Sequence, residues 1–432
     1  MKKLIAVLMV FLLISVWTAL AGAQKEAGGK ASTEKVSLLA WWTVRKPIME
    51  YSKKEVEKWV AQHPNIQVEL LGIPEDALQQ KLIGAAMAKI GPDVVYLDEN
   101  TVKVMYNAGV LQPIPETVYT EEQILKMYGP KAKMSQLGGK YYGFPNGDMA
   151  AVLFYNIDLL KQHGFNPEDI PNTWKEFIAI AQKMTDLAKD IQGFPIRGRE
   201  GSMWNALLYQ NGGFIFRNEK EAMLADKPGE DAFQFLLDIY DKYKVSSRTS
   251  LSAQEAFGQG KAPFSYNWTW FIGTILTTYP DIHFGTRVLP TPTGKPPFGS
   301  YGPSYGLFVS GVDAKKMPAA WEFWKFVISP DFQLGWAMLR GLIPARLEAQ
   351  KPEIFGKSPY KAIGEAAQNG ISLSFYPDEI SKLVLGTMPD EIMNGAPIKE
   401  TMQKIQAQVN TYLKEHYRDC WIYGKAWHDK LK

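Results

Sequence analysis

A chain of 432 residues with 22% charged and 46% hydrophobic side chains can build two lobes with separate cores, and its make-up is that of an ordinary globular protein. The formal net charge is +3, and Lys2 and Lys3 supply two of those charges, so nothing points to nucleic acid or an anionic membrane as partner. One cysteine, Cys420, excludes an internal disulfide framework and a multi-cysteine metal site.

Lys2-Lys3, the apolar run Leu4–Leu20 and Ala21-Gly22-Ala23 are the three parts of a secretory signal peptide over residues 1–23. Cleavage is expected after Ala23, which places the protein in the periplasm or on the outer face of a bacterial envelope. A retained anchor is the alternative, because the run is only slightly short of spanning length. Residues 24–33, rich in Gly, Ala, Lys and Glu, read as a flexible spacer.

Val36–Trp42 then predicts a buried strand. Ile48–Gln62 predicts a helix with Ile48, Val56, Trp59 and Val60 on one face. Ile66, Val68 and Leu70 alternate as a second strand. A helix is expected from Asp76, capped with Gln79, and Asp93–Leu97 is a third strand. This order argues for an α/β protein with a parallel sheet wrapped by helices, whose ligands sit beyond the carboxyl ends of the strands. Those ends are Trp41-Trp42-Thr43, Gly72–Asp76 and Asp98-Glu99-Asn100. Further along, Thr173-Trp174-Lys175-Glu176 is a capping box. Helices are also expected over Asp231–Tyr243, Ala319–Val327 and Ile398–Glu415. The Pro/Gly-rich span Leu289–Gly306 reads as a connection.

Enzyme motifs are weak. Gly302-Pro303-Ser304-Tyr305-Gly306 matches G-x-S-x-G, but a Pro/Gly loop precedes it and a strand-like run follows, where a nucleophile elbow needs strand, serine and helix. The five histidines have no metal-ligating spacing on one helical turn, and neither a P-loop nor a G-x-G-x-x-G after a strand is present. Neither cofactor nor metal is expected. An exported hydrolase using Ser304 or a carboxylate pair remains the rival reading.

Several separated segments resemble the extracellular solute-binding proteins of carbohydrate ABC transporters, the maltose-binding-protein-like family. They are Pro92–Tyr96 followed by Ala108–Pro113, Gly139–Pro145 running on to Tyr155-Asn156, and Thr173–Phe177. Ala256–Ala262 and Trp321–Val327 with Gly341–Arg346 complete the set. Each is short; their order spans almost the whole chain after the leader. The resemblance implies a two-lobe α/β fold of the periplasmic-binding-protein type II, with an interlobe cleft and crossovers near Asn146–Ala151, Tyr301–Leu307 and Leu342–Arg346. It implies an N-terminal lobe of residues 34–146 plus 306–343 and a C-terminal lobe of 147–305 plus 344–432. Its partners would be a small-molecule sugar and ABC permease subunits, with the protein itself a monomer that does no chemistry.

A pyranose presents apolar C–H faces and a rim of hydroxyls, which call for flat aromatics beside Asp, Asn, Glu and Arg. Aromatic content of 12%, with 13 tryptophans, allows for such a surface besides the core. Of the two tryptophans ending the first strand, Trp42 is assigned to the cleft and Trp41 to packing. Asp98, Glu99 and Asn100 are hydrogen-bonding candidates, with a solvated loop as the other reading. Asn146 and Asp148 lie at the first crossover. Trp204 suits stacking, with a core position as its rival. The resemblance places an aromatic platform at Trp268 and leaves Trp270 to packing. Tyr305 lies in a crossover loop, Arg346 meets ligand or ties the hinge, and Phe375 and Tyr376 extend the platform. A phosphate-bearing solute such as glycerol phosphate stays open because Arg45, Arg199 and Arg346 are all in the candidate cleft.

Overall fold

The computed structural model describes residues 35–97, 99–218, 220–295, 300–303, 306–311, 313–369, 371–372 and 378–420. The expected leader and spacer lie outside these residues, as do Asp98, Ser304, Tyr305, Phe375 and Tyr376. Two compact units divide the chain, 1–35 and 36–432, and the architecture is that of the second.

The first sheet opens with alternating strands and helices. They are β1 (Val36–Thr43), α1 (Lys46–Gln62), β2 (Ile66–Ile73), α2 (Glu75–Met87), β3 (Val94–Leu97) and α3 (Glu99–Asn107). Strands β1 and β2 pair in parallel, as do β1 and β3. Helix α2 begins one residue before the expected cap: Pro74 holds the N-cap position, so Asp76 lies inside the first turn and caps nothing. The chain then runs through β4 (Gly143–Pro145) into β5 (Gly147–Asn156), the long strand of a second sheet.

Helices α4 (Trp174–Lys183) and α5 (Glu200–Gln210), strand β6 (Phe264–Trp268), helix α6 (Phe271–Thr278) and strand β7 (Phe284–Arg287) follow. The Thr173 hydroxyl caps α4 by accepting from the Glu176 N–H, and the Glu176 carboxylate turns back to that same hydroxyl. Strands β8 (Ser300–Pro303) and β9 (Gly306–Val309), helices α7 (Met317–Val327) and α8 (Pro330–Arg340), and strands β10 (Ile343–Pro344) and β11 (Ile371–Ser372) complete the elements that matter here.

The first sheet has the order β2-β1-β3-β9-β4, with β9 antiparallel to both neighbours. Its two faces carry separate cores. Leu38, Ala40, Trp42, Val94 and Tyr96 pack with α1, α7 and α8, while Trp41, Val95 and Leu97 pack against α2 and α3. Alternation along the strands produces this split, since successive side chains point to opposite faces. In the second sheet β5 pairs antiparallel with β6, β7, β8 and β10. One of its faces buries Ala151, Leu153 and Tyr266 with α4 and α5; the other buries Ala150, Val152 and Phe154 with Phe271 and Ile275 of α6.

Candidate functional site

The chain changes sheet at Asn146 between β4 and β5, again between β8 and β9, and a third time after α8. These crossings converge on two residues. Asp148 of β5 is paired with Pro303 of β8 and with Ile343 of β10, and Asn146 offers its carbonyl to the Ala345 N–H at 3.1 Å. Gly147 sits between them because a Cβ there would run into the Ile343 carbonyl. Leu342 and Ala345, on either side of β10, belong to the first sheet's core. A backbone knot of this kind gives the two sheets a common pivot.

Beside the pivot the loop Thr269-Trp270 joins β6 to α6. Thr269 closes onto β5 by donating its N–H to Ala150 O at 2.8 Å and accepting the Ala150 N–H on its hydroxyl at 3.3 Å. Gly341 ends α8 with φ of 63°, and a side chain there would strike the Thr269 carbonyl. Gly273 on α6 has the same relation to the Leu339 carbonyl. Close backbone approach at both glycines therefore seats this loop against the C-terminal end of α8.

Trp268 is half-buried at the end of β6, opposite Ala151, and Trp270 is half-buried at the N-cap of α6. Two guanidinium groups reach the Trp270 ring. Arg45, in the turn after β1, stands 5.9 Å from its centroid, and Arg199, at the N-cap of α5, stands 5.4 Å from it. Arg45 arrives from the strand ends of the first sheet and Arg199 from the second, so the ring marks where the two lobes face each other. Burial pulls the Arg199 guanidinium below its ordinary pKa, with the phenol of Tyr266 and then Glu200 opposing.

Of the residues expected from sequence to meet ligand, three take other roles. Trp42 is 1% exposed: it packs on Tyr96, Phe332 and Trp336 and donates Nε1–H to Ser52 Oγ at 2.9 Å. Its neighbour Trp41, at 8% exposure, is buried too, because both faces of this sheet are covered. Trp204 is wholly buried in α5 and donates its indole N–H to Gly229 O at 3.1 Å. Arg346 lies buried over the Tyr128 ring with Nη1 toward Ile328 O and Nη2 on Glu348, while its backbone N–H donates to Gln333 Oε1 at 3.0 Å.

Two of the others lie at the pivot itself. Asn146 is 1% exposed, and neither its Oδ1 nor its Nδ2 finds a partner among the described residues. Asp148 is buried in β5. Glu99 and Asn100 open α3 at the carboxyl end of β3, the edge expected to face ligand. Asp98, Tyr305 and Tyr376 lie outside the described residues. Trp270, assigned to packing from sequence, is half-buried, with Phe271 at its ring edge and two guanidinium groups near its face. The W-T-W spacing would put Trp268 and Trp270 on one face of a strand, but β6 ends at Trp268 and the spacing loses its meaning. After Ser304 comes β9, a strand, where a nucleophile elbow requires a helix.

Two lobes, each with its own sheet and core, sharing a three-strand pivot and a half-exposed aromatic loop, define a hinged binding protein. A family model for bacterial extracellular solute-binding proteins matches residues 54–362, and the chain belongs to that family. A maltotriose-binding protein of Pyrococcus abyssi is 25% identical over 394 residues, covering 86% of this chain and 81% of the relative. Solved structures agree in fold. An ABC transporter solute-binding protein of Thermotoga lettingae bound with α-D-tagatose superposes with a TM-score of 0.75 at 21% identity, covering 88% of this chain and 100% of the other. The maltotriose-binding protein of Thermus thermophilus, bound with maltotriose, gives 0.73 at 21% identity over 87% and 100%. The two-lobe α/β architecture expected from sequence is thus the one observed.

Proposed function

We propose that the protein captures a sugar, a small oligosaccharide, in the cleft between its lobes and hands it to the permease of an ABC importer without altering it. The observation that carries this reading is the half-exposed pair Trp268 and Trp270 set against the common pivot of two separately cored lobes. Flat indoles cover the C–H faces of a pyranose, while Asn146, buried with unmet donor and acceptor atoms, supplies hydrogen-bonding capacity for its hydroxyls. Support also comes from the relatives, whose names and bound ligands are oligosaccharides or a ketose.

The bodies that move are residues 34–146 plus 306–343 and residues 147–305 plus 344–432, closing on ligand by rotation at Asn146–Asp148. Delivery follows from closure, which presents a new surface made by both lobes. The protein works as a monomer in the periplasm or at the outer face of the envelope.

A thermal-shift screen over a sugar library tests the reading. A cognate sugar at roughly 100 times its Kd stabilises the fold by about 2.7 kcal/mol and is recovered unchanged. Turnover of the sugar into products would overturn the binding-protein reading.

A further inference from the structure

Resting on the sugar reading, we infer that Arg199 determines specificity in the cleft: beside the Trp270 ring it donates a forked pair of hydrogen bonds to two neighbouring hydroxyl oxygens of a neutral sugar.

Arg199 stands at the N-cap of α5, half-buried, with its guanidinium carbon 5.4 Å from the Trp270 ring centroid. Among the described residues that guanidinium makes no hydrogen bond and no ion pair. Two arginines buried as much or more end on oxygen instead. Arg287 donates to Ile170 O and to Asn172, and Arg346 to Glu348 and Ile328 O.

Charge is not what Arg199 lacks. The indole face attracts the cation, and the Tyr266 phenol and Glu200 both favour its charged form. What it lacks is oxygen. A guanidinium has five N–H donors and no acceptor, and contact with a ring face supplies none of the oxygens those donors need. While the lobes stand apart, water meets the donors that reach the surface. Closure on a sugar removes that water, and donors left unmet there weaken binding, so the bound sugar itself has to present the oxygens. Neutral hydroxyls suffice, because the donor already carries the charge, and the planar fork matches two oxygens on adjacent ring carbons. Ring and fork then read different parts of one pyranose, the indole its C–H face and the guanidinium one edge.

The turn carrying Arg199 is set before ligand arrives. The Arg199 N–H donates to Ile196 O at 2.8 Å, and the Ile196 N–H to Ser246 Oγ at 3.1 Å. Gly201, in the first turn of α5, lies so close to the Leu385 carbonyl of the π-helix Lys382–Thr387 that any Cβ would collide with it. The Tyr266 hydroxyl donates to Ser202 O at 3.2 Å, and Tyr266 belongs to β6, the strand that leads into Trp270. Guanidinium and ring are thereby placed relative to each other. A donor held this way loses little freedom on binding, which lets one side chain discriminate between sugars.

Isothermal titration of the full-length protein tests the inference. The probe is the tightest binder among maltotriose, mannotriose and arabinotriose, or the sugar that the thermal-shift library returns if none of these binds. Arg199→Gln, with an unchanged melting temperature, should weaken that probe about ten-fold. Arg199→Lys keeps the charge and loses the fork, and should recover only part of the affinity. Monodeoxy analogues of the probe supply the deciding arm. Removing either hydroxyl read by Arg199 should cost the wild type about ten-fold and Arg199→Gln almost nothing, a coupling that a purely structural role does not produce. Full affinity in Arg199→Gln, or the same deoxy penalty in both proteins at every position, would overturn the inference and leave the sugar reading standing. Binding of none of the three, followed by a blank sugar library, would overturn both.

Discussion

At the scale of single residues, tryptophans separate into two kinds by what their indole N–H and ring faces already have. Trp42 is sealed by Tyr96, Phe332 and Trp336, and its Nε1–H is spent on Ser52. Trp42→Ala is expected to lower stability by about 3–5 kcal/mol in denaturant melts. Ligand affinity of the fraction that remains folded should be unchanged. Trp268→Ala should show the reverse: a melting temperature shifted only slightly, with affinity lost and the ligand-induced fluorescence change gone. Unaltered affinity in that variant would move the platform elsewhere, with Trp270 first in line. Sequence could not sort these residues. Alternation says that Trp41 and Trp42 face opposite ways, but on a sheet covered on both faces neither direction is wet. Trp204 misleads for a similar reason: α5 is buried around most of its circumference from Met203 to Tyr209, so no polar stripe reveals its orientation.

At the scale of elements, the strand and helix order at the start of the chain was legible because its apolar periods are clean. Strands β1, β2 and β3 and the helices between them fall where period and spacing place them, within a few residues. Sequence placed the crossings near 146–151, 301–307 and 342–346, and the strand pairing changes sheet at Asn146, between Pro303 and Gly306, and after Arg340. What stayed hidden is how these segments meet, since pairing of Asp148 with both Pro303 and Ile343 joins residues far apart in sequence. The α8 terminus shows the same dependence on distant partners. Gly341 carries a positive φ and abuts Thr269. Gly341→Val should cost roughly 1–3 kcal/mol from backbone strain alone, and more from the clash. Equilibrium unfolding measures it, and a neutral result would show that the loop at Trp270 can retreat.

At the scale of the whole molecule, the proposed mechanism is a change in the distance between lobes. Addition of cognate ligand should lower the radius of gyration measured by small-angle scattering while the mass remains that of a monomer. Ligand that binds without this contraction would remove closure from the mechanism.

One feature of the first sheet bears on how the protein is made. Strand β9 lies inside that sheet, between β3 and β4, and Trp324 anchors α7 to it through a 2.8 Å hydrogen bond to the Leu307 carbonyl. Everything from β1 to β4 therefore awaits a segment that is synthesised much later, and a fragment ending at Pro290 should show no cooperative melt. A ribosome releasing this chain emits a long stretch with its central neighbour still missing. Such a polypeptide stays threadable until Val309 has emerged, which suits a member of an extracellular solute-binding family.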